Sequence, residues 1–229
     1  MTTQTTPPRP LDRTEDTAGT RLGAALGIAS IVLIATGFAI ASPTEATISS
    51  PESEVLAFYS EAVLAKTLAG GLIETLGLVL FLPFAAMLAD RVAGSGRREV
   101  LAPTARMAAT VYVAVCLAPG MSAGAAALWL AHHGTADPAL LTALNDLRAL
   151  SYFIALLPFA VFLVCVGLSA AGRLPRWAGP AGVVIGVVLA ASLPFAAYDV
   201  TDLVGLIGLL WVLAVSVALL RTPALDRSA

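Results

Sequence analysis

Long apolar runs separated by short polar stretches dominate this chain. Six runs have the length of a bilayer crossing, about 20 residues or 30 Å of helix. They are Leu22–Ala41, Thr67–Ala89, Thr104–Ala131, Leu147–Ala171, Ala178–Tyr198 and Leu203–Leu220. The pattern predicts an all-α polytopic membrane protein with six transmembrane helices and short loops, residues 22–220 forming one domain. Residues 1–21, rich in Thr, Pro and charge, read as a disordered tail. Residues 221–229 form a second short tail. Ala39-Ile40-Ala41 looks like a signal-peptidase site, but the apolar run is longer than an ordinary signal core and the preceding tail is partly acidic. The first helix is therefore expected to be retained.

Between the first two runs the pattern changes. Ser50-Pro51 is a good helix start, and Val55, Leu56, Tyr59, Val63 and Leu64 fall near one helical face while Glu52, Glu54 and Glu61 lie elsewhere. Two readings stand side by side: a short amphipathic helix in the interface or over the bundle mouth, and a loop with one helical turn. Pro83, Pro119, Pro158 and Pro194 sit inside four different runs, which predicts kinks. A short internal echo, FLPFAAML in the second run and LLPFAVFL in the fourth, suggests a parallel duplication of helical hairpins. The small-residue run Gly120–Ala127 (GMSAGAAA) suits close helix packing or a dimer face.

Composition sharpens the membrane reading. The chain is 58% hydrophobic and 12% charged, against about 25% charged in a soluble domain. A net charge of −2 suggests neither nucleic acid nor an acidic substrate as partner. The distribution of basic residues says more. With six crossings, one side holds Arg9, Arg13, Arg21, Arg91, Arg97, Arg98, Arg106, Arg173, Arg176, Arg221 and Arg227, and the other only Lys66 and Arg148. Basic loops stay in the cytoplasm, so both termini are expected there.

The candidate chemistry is sparse. Glu74 lies inside the second run, where a charged group is costly and needs a partner or a water-filled path. Arg148, near the outer start of the fourth run, is its nearest cationic candidate, with Asn145 and Tyr152 close in sequence. Counting from the LPFA echo puts Arg148 level with Glu74, whereas counting from Asp146 puts it shallower. Glu74 either locks two helices together through Arg148, the favoured reading, or titrates and binds a cation or substrate. His132, His133, Asp199 and Asp202 are weaker candidates on the outer face. Adjacent histidines point about 100° apart on a helix and make a poor ligand pair. No metal or cofactor motif occurs: no Gly-rich phosphate loop, nucleophile elbow or His-Glu-x-x-His. Cys116 and Cys165 lie in apolar runs and read as small hydrophobes.

Four stretches carry a resemblance: SPESEVLAFYSE (50–61), NDLRALSYF (145–153), GRLPRWAGPAG (172–182) and LLWVLAVSVALLR (209–221). On these the chain resembles a group of multi-pass integral membrane proteins of actinobacteria known as a domain of unknown function. The resemblance implies a multi-helix protein of the bacterial plasma (inner) membrane and no particular activity. Three classes follow: a structural or accessory protein whose partners are the lipid bilayer and a membrane protein or second copy of itself; a small transporter or ligand-binding protein using Glu74 in an outward-facing cavity; and, least supported, an enzyme.

Overall fold

A computed structural model of the chain describes residues 12–41, 46, 48, 50–61, 64–134, 137–198 and 200–221. The elements are α1 (Asp12–Ala41), α2 (Glu52–Glu61), α3 (Leu64–Val92), α4 (Arg97–Val115), a π-helical segment (Cys116–Met121), α5 (Ser122–His132), α6 (Pro138–Ser169), α7 (Ala178–Ser192), a 3₁₀ segment (Leu193–Tyr198) and α8 (Val200–Arg221). Among the described residues the fold is all-α, and six helices are long and apolar enough to cross a membrane. The third crossing is α4, the π segment and α5 taken as one rod.

The six crossings form a closed ring in chain order. α1 packs on α3, α3 on α4, α4 on α6, α6 on α7 and α7 on α8, and α8 returns to α1. Side chains are distributed as lipid solvation requires. Asn145, Ser30, Ser151, Ser169, Ser192 and Ser216 are buried, while Leu72, Val79, Ile154, Val184 and Leu206 point outward. An exposed apolar face is at rest in hydrocarbon, where packing rather than hydrophobic transfer holds helices together.

Aromatic rings fill the centre. Phe81, Phe84, Phe159 and Phe162 are all buried. Phe81 meets Tyr112 edge-on at 5.6 Å and Phe162 at 5.4 Å, and Phe159 stacks on Tyr112 at 5.0 Å. Phe81 of FLPFAAML therefore meets Phe159 and Phe162 of LLPFAVFL in the core. At the other side of the ring, Trp211 Nε1 donates to the Ala178 carbonyl at 3.0 Å and ties α8 to the start of α7. Trp211→Phe removes that bond, and thermal unfolding in detergent should show a loss of about 1 kcal/mol.

Prolines explain two irregularities. Pro119 lies inside the π segment, where its missing N–H and its ring displace the α-helical bonding. The Ser122 hydroxyl donates to the Leu117 carbonyl at 3.2 Å and to that of Ala118. Pro194 sits where α7 gives way to the 3₁₀ turn, which contains a non-helical Phe195.

The ends of several helices differ from the sequence expectation. α6 starts at Pro138, nine residues before Leu147. Asp137 caps it, accepting from the Ala139 amide at 3.2 Å, with Pro138 in the first turn. Leu141 then continues the buried face, so Asn145 and Asp146 are helical rather than part of a polar connection. α4 starts at Arg97 rather than Thr104. Residues 12–21, expected as tail, extend α1. Asp12, Glu15 and Asp16 fall in its first two turns, where negative charge favours a helix start. Residues 1–11 and 222–229 lie outside the described residues.

α2 is a helix, as the amphipathic reading expects. Val55 and Tyr59 are buried while Glu52 and Glu54 face out, and the helix lies against α5 and α6. Val63, expected on the same face, lies outside the described residues.

Candidate functional site

The half of the ring opposite the Arg-rich loops holds a group of polar side chains beneath α2. Arg148, ten residues into α6, is the hub. Its Nη2 donates to the Ala46 carbonyl at 2.7 Å, in the connection before α2, and to Asn145 Oδ1 at 3.2 Å. Its guanidinium carbon lies 6.0 Å from the centroid of the Phe58 ring on α2, within reach of a cation–π contact. The Arg148 stem has room because position 124 is glycine: a Cβ there would fall 2.9 Å from Arg148 Cδ. Asn145 is fully buried and also receives the Tyr59 hydroxyl at 3.5 Å. α2 is thus attached to α6 through Tyr59, and flanked by a connection that Arg148 holds by its backbone.

Glu74 is half-buried on α3. Its Cβ lies against the backbone of α1, since a Cβ on Gly37 would stand 2.8 Å from it. Its carboxylate is within electrostatic range of the Cys116 thiol and the Tyr112 hydroxyl. Tyr152, on the next turn of α6 from Arg148, is within range of Tyr112. Glu74 and Arg148 each stand ten residues from the first residue of their helices, about 15 Å along each axis.

The weaker candidates lie apart from this group. His132 Nδ1 is 3.0 Å from the Leu128 carbonyl and His133 Nδ1 is 2.8 Å from that of Trp129, each one turn back on α5. The His133 ring also stacks on Trp129 at 4.0 Å. Asp199 lies outside the described residues, as does the side chain of Asp202 in α8. Among the described residues no three His, Cys, Asp or Glu side chains converge on a point that could hold a metal.

Four participants escape a reading of the sequence alone. Phe58 and Tyr59 belong to a segment whose helical state was open. Tyr112 and Cys116 lie four residues apart inside an apolar run; that i, i+4 spacing puts them on one face and was the available signal. A cleft of about 300 Å³ opens beside α2, lined by Leu56, Ala57, Ser60, Ala131, Gly134 and Leu141. None of these is among the candidate polar residues.

Fold and site together define a class: a six-crossing membrane bundle whose buried polar groups are covered on one side by a short amphipathic helix. No protein-family profile matches the chain, and neither a curated protein nor a solved structure is significantly similar to it.

Proposed function

We propose that the chain is a structural or accessory protein of the bacterial plasma membrane, with both termini cytoplasmic, in which a Glu74–Arg148 pair joins the second and fourth crossings. The observation that supports the structural part of this reading is that Arg148 reaches a backbone carbonyl of the α1–α2 connection, the Asn145 side chain and the Phe58 ring; the Glu74 partner is proposed from the placement of the two charges in apolar runs of the sequence. These contacts organise the protein's own outer face. A membrane-protein partner, or a second copy, would bind the frame so held. The proposal extends to kinship with the actinobacterial membrane proteins that the four stretches resemble.

A double-mutant cycle tests the pair. Thermal unfolding in detergent is compared for the wild type, Glu74→Gln, Arg148→Gln and the double variant. Removing one partner strands the other, and removing both does not. A coupling of about 1 kcal/mol or more supports the clamp. Additive single effects would sink it.

The second reading is a small transporter or ligand-binding protein built on Glu74. It is favoured by the placement of Glu74 within electrostatic range of Tyr112 and Cys116. Additivity in the cycle would turn attention there, with proton- or cation-coupled uptake into proteoliposomes as the assay. An enzyme is the least supported class, because the candidate groups form no recognisable nucleophile, base and metal arrangement.

A further inference from the structure

The third crossing is not one continuous α-helix, and the break sets α5 apart. α4 gives way at Cys116–Met121 to a π-helical segment that contains Pro119 and Gly120, and α5 follows from Ser122 to His132. Helices bend at prolines and at π-helical turns. The Ser122 hydroxyl donates to the Leu117 and Ala118 carbonyls, which satisfies acceptors at the break, as hydrocarbon requires. Just past α5, Gly134 takes a left-handed backbone with φ of 64°, a conformation that glycine adopts without strain. α5 thus has a joint at each end.

Gly120 supplies a second observation. It is buried inside the π segment, where glycine is a poorer helix former than alanine. Close packing does not require it. A Cβ there would stand 3.6 Å from the Val115 carbonyl oxygen and 3.7 Å from Ser151 Cβ, ordinary contact distances. Gly37 and Gly70, by contrast, leave no room for a methyl group. What a glycine supplies at position 120 is conformational freedom.

The seam that α5 forms is thin. Its buried side chains are Ala123, Ala127 and Leu128, and Gly124 faces the Arg148 stem. Small side chains lose few dispersion contacts on parting. Ala127 and Leu128 belong to a small apolar cluster with Val55, Tyr59 and Leu141, apart from the aromatic core of the ring, so a movement of α5 leaves that core intact. The cleft of about 300 Å³ lies between the end of α5 (Ala131, Gly134), α2 (Ala57, Ser60) and the start of α6 (Leu141). Behind the seam stand Asn145, Arg148 and Ser151, three residues apart in turn and therefore on one face of α6. Asn145 and Ser151 are buried.

We infer that α5 is a gate: it swings on the π segment, parts from α6 along this seam and deepens the cleft to Asn145, Arg148 and Ser151, while α2 stays with α6 through Tyr59 and Asn145. The inference rests on neither reading of Glu74. A buried reporter tests it. Ser151→Cys is placed in a full chain that also carries Cys116→Ala and Cys165→Ala, and its modification by a water-soluble quaternary-ammonium methanethiosulfonate is timed in detergent. The thiol is expected to react. Gly120→Ala fits the available space but favours the closed helix, and should slow that reaction about fivefold. Ala155→Cys, fully buried one turn further into the core, should stay unmodified over the same period. Gly71→Ala, the same substitution in α3 where the methyl meets open space, should leave the Ser151→Cys rate unchanged. Leu141→Cys, at the cleft end of the seam, serves as reporter if Ser151→Cys does not fold, with the same slowing expected from Gly120→Ala. A reporter that never reacts, or reacts at a rate indifferent to Gly120→Ala, overturns the inference. So does equal reaction at Ala155→Cys or equal slowing by Gly71→Ala, either of which would mean that the whole bundle opens rather than α5 alone.

Discussion

Gly70→Ala is expected to destabilise the protein by about 3 kcal/mol, while Gly71→Ala, one residue further on, is expected to stabilise it by up to about 1 kcal/mol. The two changes add the same methyl group to the same helix. At Gly70 it would stand 2.6 Å from the Ala41 amide nitrogen and 2.7 Å from the Gly37 carbonyl oxygen. Both are main-chain atoms of α1 and cannot swing aside. The contact is reciprocal, since a Cβ on Gly37 would stand 2.6 Å from the Gly70 carbonyl oxygen and 2.6 Å from the Glu74 nitrogen. Backbone against backbone is the closest approach two helices make, and in lipid it supplies dispersion and Cα–H···O contacts that water-driven burial cannot. At Gly71 nothing lies within 4 Å, so the added methyl faces open space and only the better helix propensity of alanine remains. Thermal unfolding of the two variants in one detergent decides the matter. Equal melting temperatures would mean that α1 and α3 do not cross at these glycines.

That crossing shows what the sequence conveys and what it hides. Hydropathy located all six crossings, because a run of about 20 apolar residues has few other fates. Small residues at an interface were also expected, but at Gly120–Ala127. The closest backbone approach between α1 and α3 is instead at Gly37 and Gly70, while Gly120 faces Ser151 and Gly124 makes room for the Arg148 stem. One sequence shows which residues are small; which helix will lie against them is a property of the ring. The start of α6 was legible in retrospect, since Asp137-Pro138 is an ordinary cap and first turn. It was masked by neighbouring polar residues that read as loop. Glu74 and Arg148 stood out as charges inside apolar runs. Tyr112 and Cys116 did not: their i, i+4 spacing marks one shared face, but nothing local says whether that face meets the interior or lipid.

Arg148→Gln is expected to lower stability by about 3 kcal/mol and to loosen the α2 side of the bundle while the rest of the ring keeps its packing. The magnitude follows from hydrogen bonds to a charged donor, about 1.5–3 kcal/mol each, offset by whatever the shorter amide recovers. Its effect should be local. Arg148 reaches back to Ala46, more than a hundred residues earlier in the chain, and lies against Phe58. Without it α2 keeps Val55 and Tyr59 as anchors, and the Tyr59 hydroxyl retains Asn145. Hydrogen exchange should therefore speed up in α2, around residues 54–59, more than in α3 or α8. Arg148→Lys should fall close to Arg148→Gln, because a single ammonium cannot match two separated acceptors and a ring face with one planar group. Rescue by lysine would show that charge alone matters, and the geometry described for the guanidinium would then be incidental. Unchanged exchange in α2 together with a lowered melting temperature would place the contribution of Arg148 between the crossings, with α2 held by its own apolar face. If neither quantity moved, Arg148 would not be the hub of the outer face, and Tyr59 with Asn145 would be the remaining attachment between α2 and α6.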